Sequence, residues 1–110
     1  MIAVIFQVTL KPQGKDTYLD IAASLKTLLA KQPGFISIER FISVSNPCYF
    51  LSLSFWQDEQ AILRWREQLE HKQAQEKGKT ELFEDFRLRV AHVSRDYGMG
   101  GRQRGEYGTE

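Results

Sequence analysis

Three consecutive stretches decide the fold: FISIERFISV (residues 35–44), SNP (45–47) and CYFLSLSFW (48–56). In the first, Ile36, Ile38 and Ile42 alternate with Phe35, Ser37, Glu39 and Phe41, with Arg40 as the charged exception in the isoleucine series. Ser45-Asn46-Pro47 is turn chemistry, and beyond it Tyr49, Leu51, Leu53 and Phe55 alternate with Phe50, Ser52, Ser54 and Trp56. A period of two on both sides of a turn predicts a hairpin, Phe35–Val44 with Cys48–Trp56. Upstream, the β-branched run Ile2–Leu10 stops at Lys11-Pro12-Gln13-Gly14 and predicts a first strand.

Between these strands, Tyr18, Ile21, Ala22, Leu25, Leu28 and Leu29 recur at helical spacing over residues 16–31. Asp16 is placed to cap that helix, and Pro33-Gly34 to stop it. Downstream, residues 58–77 read as a second helix capped by Asp58, with Ile62, Trp65 and Leu69 on its sheet-facing stripe and Gly78-Lys79 at its end. A last strand is expected over residues 85–97. The order β-α-β-β-α-β is the split unit of ferredoxin-like α+β domains, a four-stranded antiparallel sheet with two helices on one face.

The first and third strands are apolar at both parities, with Ala3 and Ile5 beside Val4 and Phe6, and Phe50 and Trp56 beside the Tyr49 series. A half-solvated sheet alternates more cleanly. The helix-free face is therefore expected to be covered too, most simply by a second copy in a homodimer.

Length and charge bound the rest. The chain has 110 residues and a formal charge of +1, enough for one core and with no field to recruit nucleic acid or an anionic membrane. Its longest apolar run, Met1–Phe6, is too short to span a bilayer. With the single Cys48, this predicts a cytoplasmic domain over residues 1–97 and a mobile Gly/Arg-rich tail over 98–110. The tail glycines open no helix, so no phosphate cradle is expected, and Arg102 and Arg104 read as solvated.

Few residues are left for chemistry. His71 and His92 lie on different elements, so no protein-ligated metal is expected. Cys48 reads as an inert turn thiol. Arg87, Arg89 and Arg95 share one parity of the last strand and either bind an anion or pair with Glu39 across the sheet. The tryptophans Trp56 and Trp65 either fill the core or wall a hollow between sheet and helices in which a flat ligand would lie. Ser52 and Ser54 share the strand face of Trp56, as handles for such a ligand or as ordinary strand serines.

The opening Trp56-x-Asp58-Glu59-x-Ala61-Ile62 and the run Trp65-x5-His71-x2-Ala74-Gln75-x2-Gly78, in this element order, resemble the antibiotic biosynthesis monooxygenase domain family over residues 1–97. The resemblance implies a dimeric α/β barrel with an oxygenase-like pocket in each subunit. In the cofactor-independent, quinone-forming branch, an Asn precedes and a Tyr follows the strand tryptophan; here those positions hold Ser52 and Ile62. In the heme-degrading branch an Asn on the first strand and an iron-ligating His accompany the helix tryptophan; here Phe6 and Gln7 replace the Asn, and Gln75 the His.

The leading expectation is a homodimeric monooxygenase without metal or cofactor, acting on a small electron-rich aromatic such as a hydroquinone or anthrone. Ser52, Trp65, Phe6 and Ile62 would bind the substrate, and Trp56 and His71 would be the catalytic residues, Trp56 orienting the substrate and His71 moving the proton. In an unbroken helix His71 falls about 240° around the axis from Trp65, so that role requires a break near Gln68. The alternatives are a non-catalytic dimeric binding or stress-associated module, and a heme protein using His71.

Overall fold

A computed structural model describes residues 1–75 and 82–100, of which residues 70–75 are described by their backbone. It contains β1 (Ile2–Leu10), α1 (Lys15–Ala30), β2 (Phe35–Ile42), β3 (Tyr49–Trp56), α2 (Glu59–Gln75) and β4 (Phe83–His92). The four strands form one antiparallel sheet in the order β2-β3-β1-β4. This is the ferredoxin-like arrangement expected from the hydrophobic pattern. Among the described residues, no helix is long and apolar enough to cross a membrane.

The first helix begins differently from expectation. A 3-10 turn, Pro12–Gly14, leads into α1, Gly14 occupies the cap position, and no side chain caps it. Asp16 instead sits in the first turn, where its carboxylate faces the positive end of the helix dipole. At the other end the Lys31 N–H donates to the Leu28 carbonyl at 3.2 Å and the Gln32 N–H to the Leu29 carbonyl at 3.0 Å, and Gly34 adopts φ +86°, a conformation that costs any residue with a Cβ. The second helix is capped as expected: Asp58 Oδ1 accepts the Ala61 N–H at 2.9 Å, a bond worth about 1 kcal/mol.

Register decides what each strand presents to the helices. Opposed residues in an antiparallel sheet project to the same side, so the helix side carries four rungs. These are Trp56–Ile2–His92, Ile38–Ser54–Val4–Val90, Arg40–Ser52–Phe6–Leu88 and Ile42–Phe50–Val8–Phe86. The pairing of β2 slips between Phe35 and Ser37. That bulge turns Phe35 inward, edge-on to Trp56 with ring centroids 5.3 Å apart, and leaves Ile36 exposed. The uniform isoleucine series of the sequence is broken at its first member because a bulge inserts one residue and flips the parity.

The interior has two apolar clusters. One joins Ile2, Leu29, Trp56 and Ala61, with Val4, Phe35, Ile38, Ile62 and Trp65 packed on it. The other joins Val8, Leu10 and Phe50, with Phe6, Tyr18 and Phe83. On β3 the buried serines 52 and 54 lie between them. The last strand ends earlier than expected, at His92 rather than Tyr97. Its helix-side residues Phe86, Leu88 and Val90 are 58%, 52% and 47% exposed. Among the described side chains, neither helix joins a buried cluster with them. Residues 101–110 of the expected tail, and Gly78-Lys79 at the expected end of α2, lie outside the described residues.

The opposite face carries Ile5, Leu51, Leu53 and Phe55, all half-buried, and Phe41, which is exposed. Both helices pack on the other side, through Tyr18, Leu29 and Ala61.

Candidate active site

The two indoles occupy different environments. Trp56 is 2% exposed, and its Nε1–H donates to Ser54 Oγ at 2.9 Å. That bond satisfies the indole inside the core and engages the Ser54 hydroxyl. Trp56 therefore fills the core between β3 and the helices, and Ser54 serves it. Trp65 is half-buried on α2. Its inner edge packs on the first cluster, and it also lines an open recess of about 590 Å³ between α1 and α2, with Leu25, Leu28, Arg64, Gln68 and Leu69. Gln32 and Gln68 exchange side-chain hydrogen bonds of 3.0 and 3.2 Å across the helix pair.

This recess lies between the two helices and touches Trp65, whereas the hollow expected from the sequence lay between helices and sheet under both tryptophans. Ile62 packs near Trp65 on the first cluster, while Phe6 belongs to the second and contacts Phe83 and Phe86 at centroid distances of 6.1 and 5.9 Å. Phe6 stands next to Leu88, where the uncovered edge of β4 begins. Ser52 is buried on the same rung, between Phe6 and Arg40. The helix side of the sheet therefore offers an apolar surface, Phe6, Phe86, Leu88 and Val90, open at the β4 edge.

The histidines do not join this surface by any described contact. His92 lies at the sheet end with Nε2 3.7 Å from Glu59 Oε1, and both side chains are largely exposed. His71 lies on α2, which runs unbroken through Gln68; its side chain, like that of Gln75, is outside the described residues. Among the described residues no three His, Cys, Asp or Glu side chains come together.

The arginines of β4 do not pair with Glu39 of the same chain. β2 and β4 are the two edges of the sheet, separated by three strand spacings, about 14 Å. Arg89 instead donates from Nη1 to Gln7 Oε1 on the neighbouring strand. Cys48 is a free thiol in the β2–β3 turn, where its N–H donates to Asn46 Oδ1 at 3.0 Å.

Two residues gain importance only in three dimensions. The Arg40 guanidinium lies beside the Tyr18 phenol. Burial raises the Tyr18 pKa above its ordinary value, against the lowering effect of the Arg40 charge and hydrogen bond, so the phenol stays protonated. The signal in the sequence was Arg40 itself, a charge in an isoleucine series. Nothing in the sequence linked it to Tyr18, which reads simply as one more stripe residue of the first helix.

Fold and site together define a ferredoxin-like α+β domain with an apolar surface and recess beside its helices. The chain belongs to the antibiotic biosynthesis monooxygenase family, whose model matches residues 1–77. It is 49% identical over 94 residues to the jasmonate monooxygenase of Pyricularia oryzae, a match covering 86% of this chain and 44% of the fungal protein. It is also 34% identical over 93 residues to the uncharacterised protein YqjZ of Bacillus subtilis, covering 84% of this chain and 79% of that one. The chain thus spans less than half the length of the fungal relative. Its fold matches that of SnoaB, a cofactor-independent oxygenase from Streptomyces nogalater, with a TM-score of 0.70 at 16% identity, over 86% of this chain and 93% of SnoaB.

Proposed function

We propose that this chain is a cofactor-independent monooxygenase of a small, mainly apolar organic substrate held on the helix side of the sheet, against Phe6, Ile62 and Trp65. The observation that carries this reading is the uncovered apolar edge of β4, where Phe86, Leu88 and Val90 stay about half exposed beside Phe6. An apolar surface left open on the helix side of the sheet is the kind of surface that a ligand occupies. Ser52 supplies a hydroxyl to a substrate oxygen and Trp56 supports the site from the core; the break near Gln68 that a proton-carrying His71 requires is absent from α2.

The reading admits two substrate types. An electron-rich hydroquinone or anthrone supplies its own electrons: oxidising an anthrone methylene to a carbonyl with oxygen releases water and draws every electron from the substrate. Jasmonate, in the fungal relative's name, is a carboxylate with a cyclopentanone ring and a short hydrocarbon chain. Hydroxylating one of its C–H bonds takes a further electron pair, so turnover of that substrate requires an added reductant.

The test is oxygen uptake by purified, metal-free protein. An anthrone is expected to give uptake unaided, or jasmonate to give it with ascorbate present, and mass spectrometry should find one oxygen atom from labelled O₂ in the product. Trp65→Ala, checked for a folded state by circular dichroism, should lose roughly tenfold or more of kcat/KM, about 1.4 kcal/mol of transition-state binding. Rates no higher than buffer with every substrate, or an unchanged rate in Trp65→Ala, sink the oxygenase reading.

The same reading pairs two copies through the helix-free face. Phe41, Leu51, Leu53 and Phe55 supply its apolar centre, and Glu39 at one edge and Arg87 and Arg89 at the other supply opposite charges. A two-fold axis brings unlike edges within reach when the two sheets cross. Sedimentation equilibrium at micromolar concentration should give twice the chain mass, and Leu53→Glu should give the single-chain mass. A wild-type monomer at that concentration removes the dimer.

A further inference from the structure

A charged residue on the helix side of a sheet needs a reason, because moving a guanidinium out of water is costly without a matched partner. Arg40 is that residue. Its neighbours along β2 on the same side are Ile38 and Ile42, and its exposure is intermediate. Its Nε is shut off from solvent and has no hydrogen-bond partner. Among the described residues no carboxylate pairs with it, and the group beside it is the Tyr18 hydroxyl.

The rung on which Arg40 lies runs through Ser52 and Phe6 to Leu88. Across the sheet, over about 14 Å, it therefore passes from a cation through a hydroxyl and an aromatic ring to an exposed aliphatic side chain. That sequence of groups is complementary to a small acid with an apolar body. A carboxylate approaching a guanidinium side-on uses Nε–H and one Nη–H together, and Nε–H is the donor left without a partner.

We propose that Arg40 binds the carboxylate of a small monocarboxylic acid, with Ser52 alongside and the apolar body of the acid directed along Phe6 toward Leu88. The inference rests on the reading of the helix side as the substrate surface, and it fixes the class of substrate that reading leaves open. Tyr18, kept neutral by burial, holds the guanidinium in place without competing for its charge, and so is a positioning residue. Hydroquinones and anthrones lack the anion and would not use this contact.

Titration calorimetry with jasmonate and its methyl ester tests it. The wild-type protein should bind the acid at least roughly tenfold more tightly than the ester, the worth of a charge-assisted bidentate pair. In Arg40→Met the two affinities should come within about twofold of each other, since the ester interacts as a neutral group in both proteins. Arg40→Lys, which retains the charge and protects against a misfolded Met variant, should show a reduced ratio because it lacks the side-on pair.

Equal binding of acid and ester by the wild type overturns the proposal. So does an acid preference undiminished in Arg40→Lys, or no binding of either jasmonate or decanoate. The measurement needs no turnover: acid-selective binding that depends on Arg40, without oxygen uptake, keeps the anchor and removes the oxygenase. Uptake that is the same with acid and ester does the reverse.

Discussion

Trp56→Ala is expected to lower the folding free energy by about 4 kcal/mol, the largest loss from any single side chain here. Trp56 is among the largest fully buried side chains. It touches Ile2, Leu29 and Ala61, and so joins β1, β3 and both helices at one end of the sheet. Truncation opens a cavity that rigid strands cannot close, and it removes the donor that Ser54 Oγ accepts at 2.9 Å. Trp56→Phe keeps most of the volume and should lose about 1–2 kcal/mol, part of it the missing hydrogen bond. Urea denaturation midpoints measure both. An alanine variant as stable as the phenylalanine one would mean that Trp56 is not packed as described, and a large loss of oxygen uptake in a stable Trp56→Phe would return the indole to a direct part in the chemistry.

The second large effect belongs to Gly34. Its φ of +86° is disfavoured for a residue with a Cβ, and a Cβ placed there would lie 2.6 Å from the Ala61 Cβ. Ala61 is 1% exposed in the first turn of α2, and the Gly34 carbonyl accepts the Gln57 N–H at 2.8 Å. The turn after α1 is thus the seat on which α2 starts. Gly34→Ala adds about 1–2 kcal/mol of backbone strain and about 1–3 kcal/mol of overpacking. Thermal unfolding should shift down by about 10–20 °C for a chain of this size. Adding Ala61→Gly should recover the packing part and leave the strain. A melting point unchanged in Gly34→Ala would contradict the close approach of the turn to the helix.

Much of this was legible in the primary structure. The β-branched run of β1, the period of two in β2 and β3 and the helical stripe Tyr18–Leu29 sufficed for element order and topology, because burial and periodicity act locally. Asp58 was legible as a cap for the same reason. Asp16 was not, since whether a carboxylate caps a helix or sits in its first turn depends on the 3-10 turn before it. The bulge at Phe35–Ser37 was hidden because parity on β2 is set by its pairing with β3, not by β2 alone.

The site was less legible than the fold. Phe86, Leu88 and Val90 alternate with charged residues like any covered strand, yet they stay about half exposed; how far a strand is covered depends on where the helices travel, which no local pattern encodes. For the same reason the recess falls between the helices and touches Trp65 but not Trp56. Arg40 stood out as an exception, but its meaning depended on the rung that joins it to Ser52 and Phe6.

The two helices are not held alike. In the described structure α1 contributes to both buried clusters, through Tyr18 at one end and Leu29 at the other, whereas α2 contributes to one, through Ala61, Ile62 and Trp65 in its opening turns. Over its described side chains α2 is anchored at its root, near Gly34 and Ala61, with the Gln32–Gln68 hydrogen bonds as its tie to the end of α1. A substitution at that root therefore bears on the recess beside Trp65 without altering any residue that lines it.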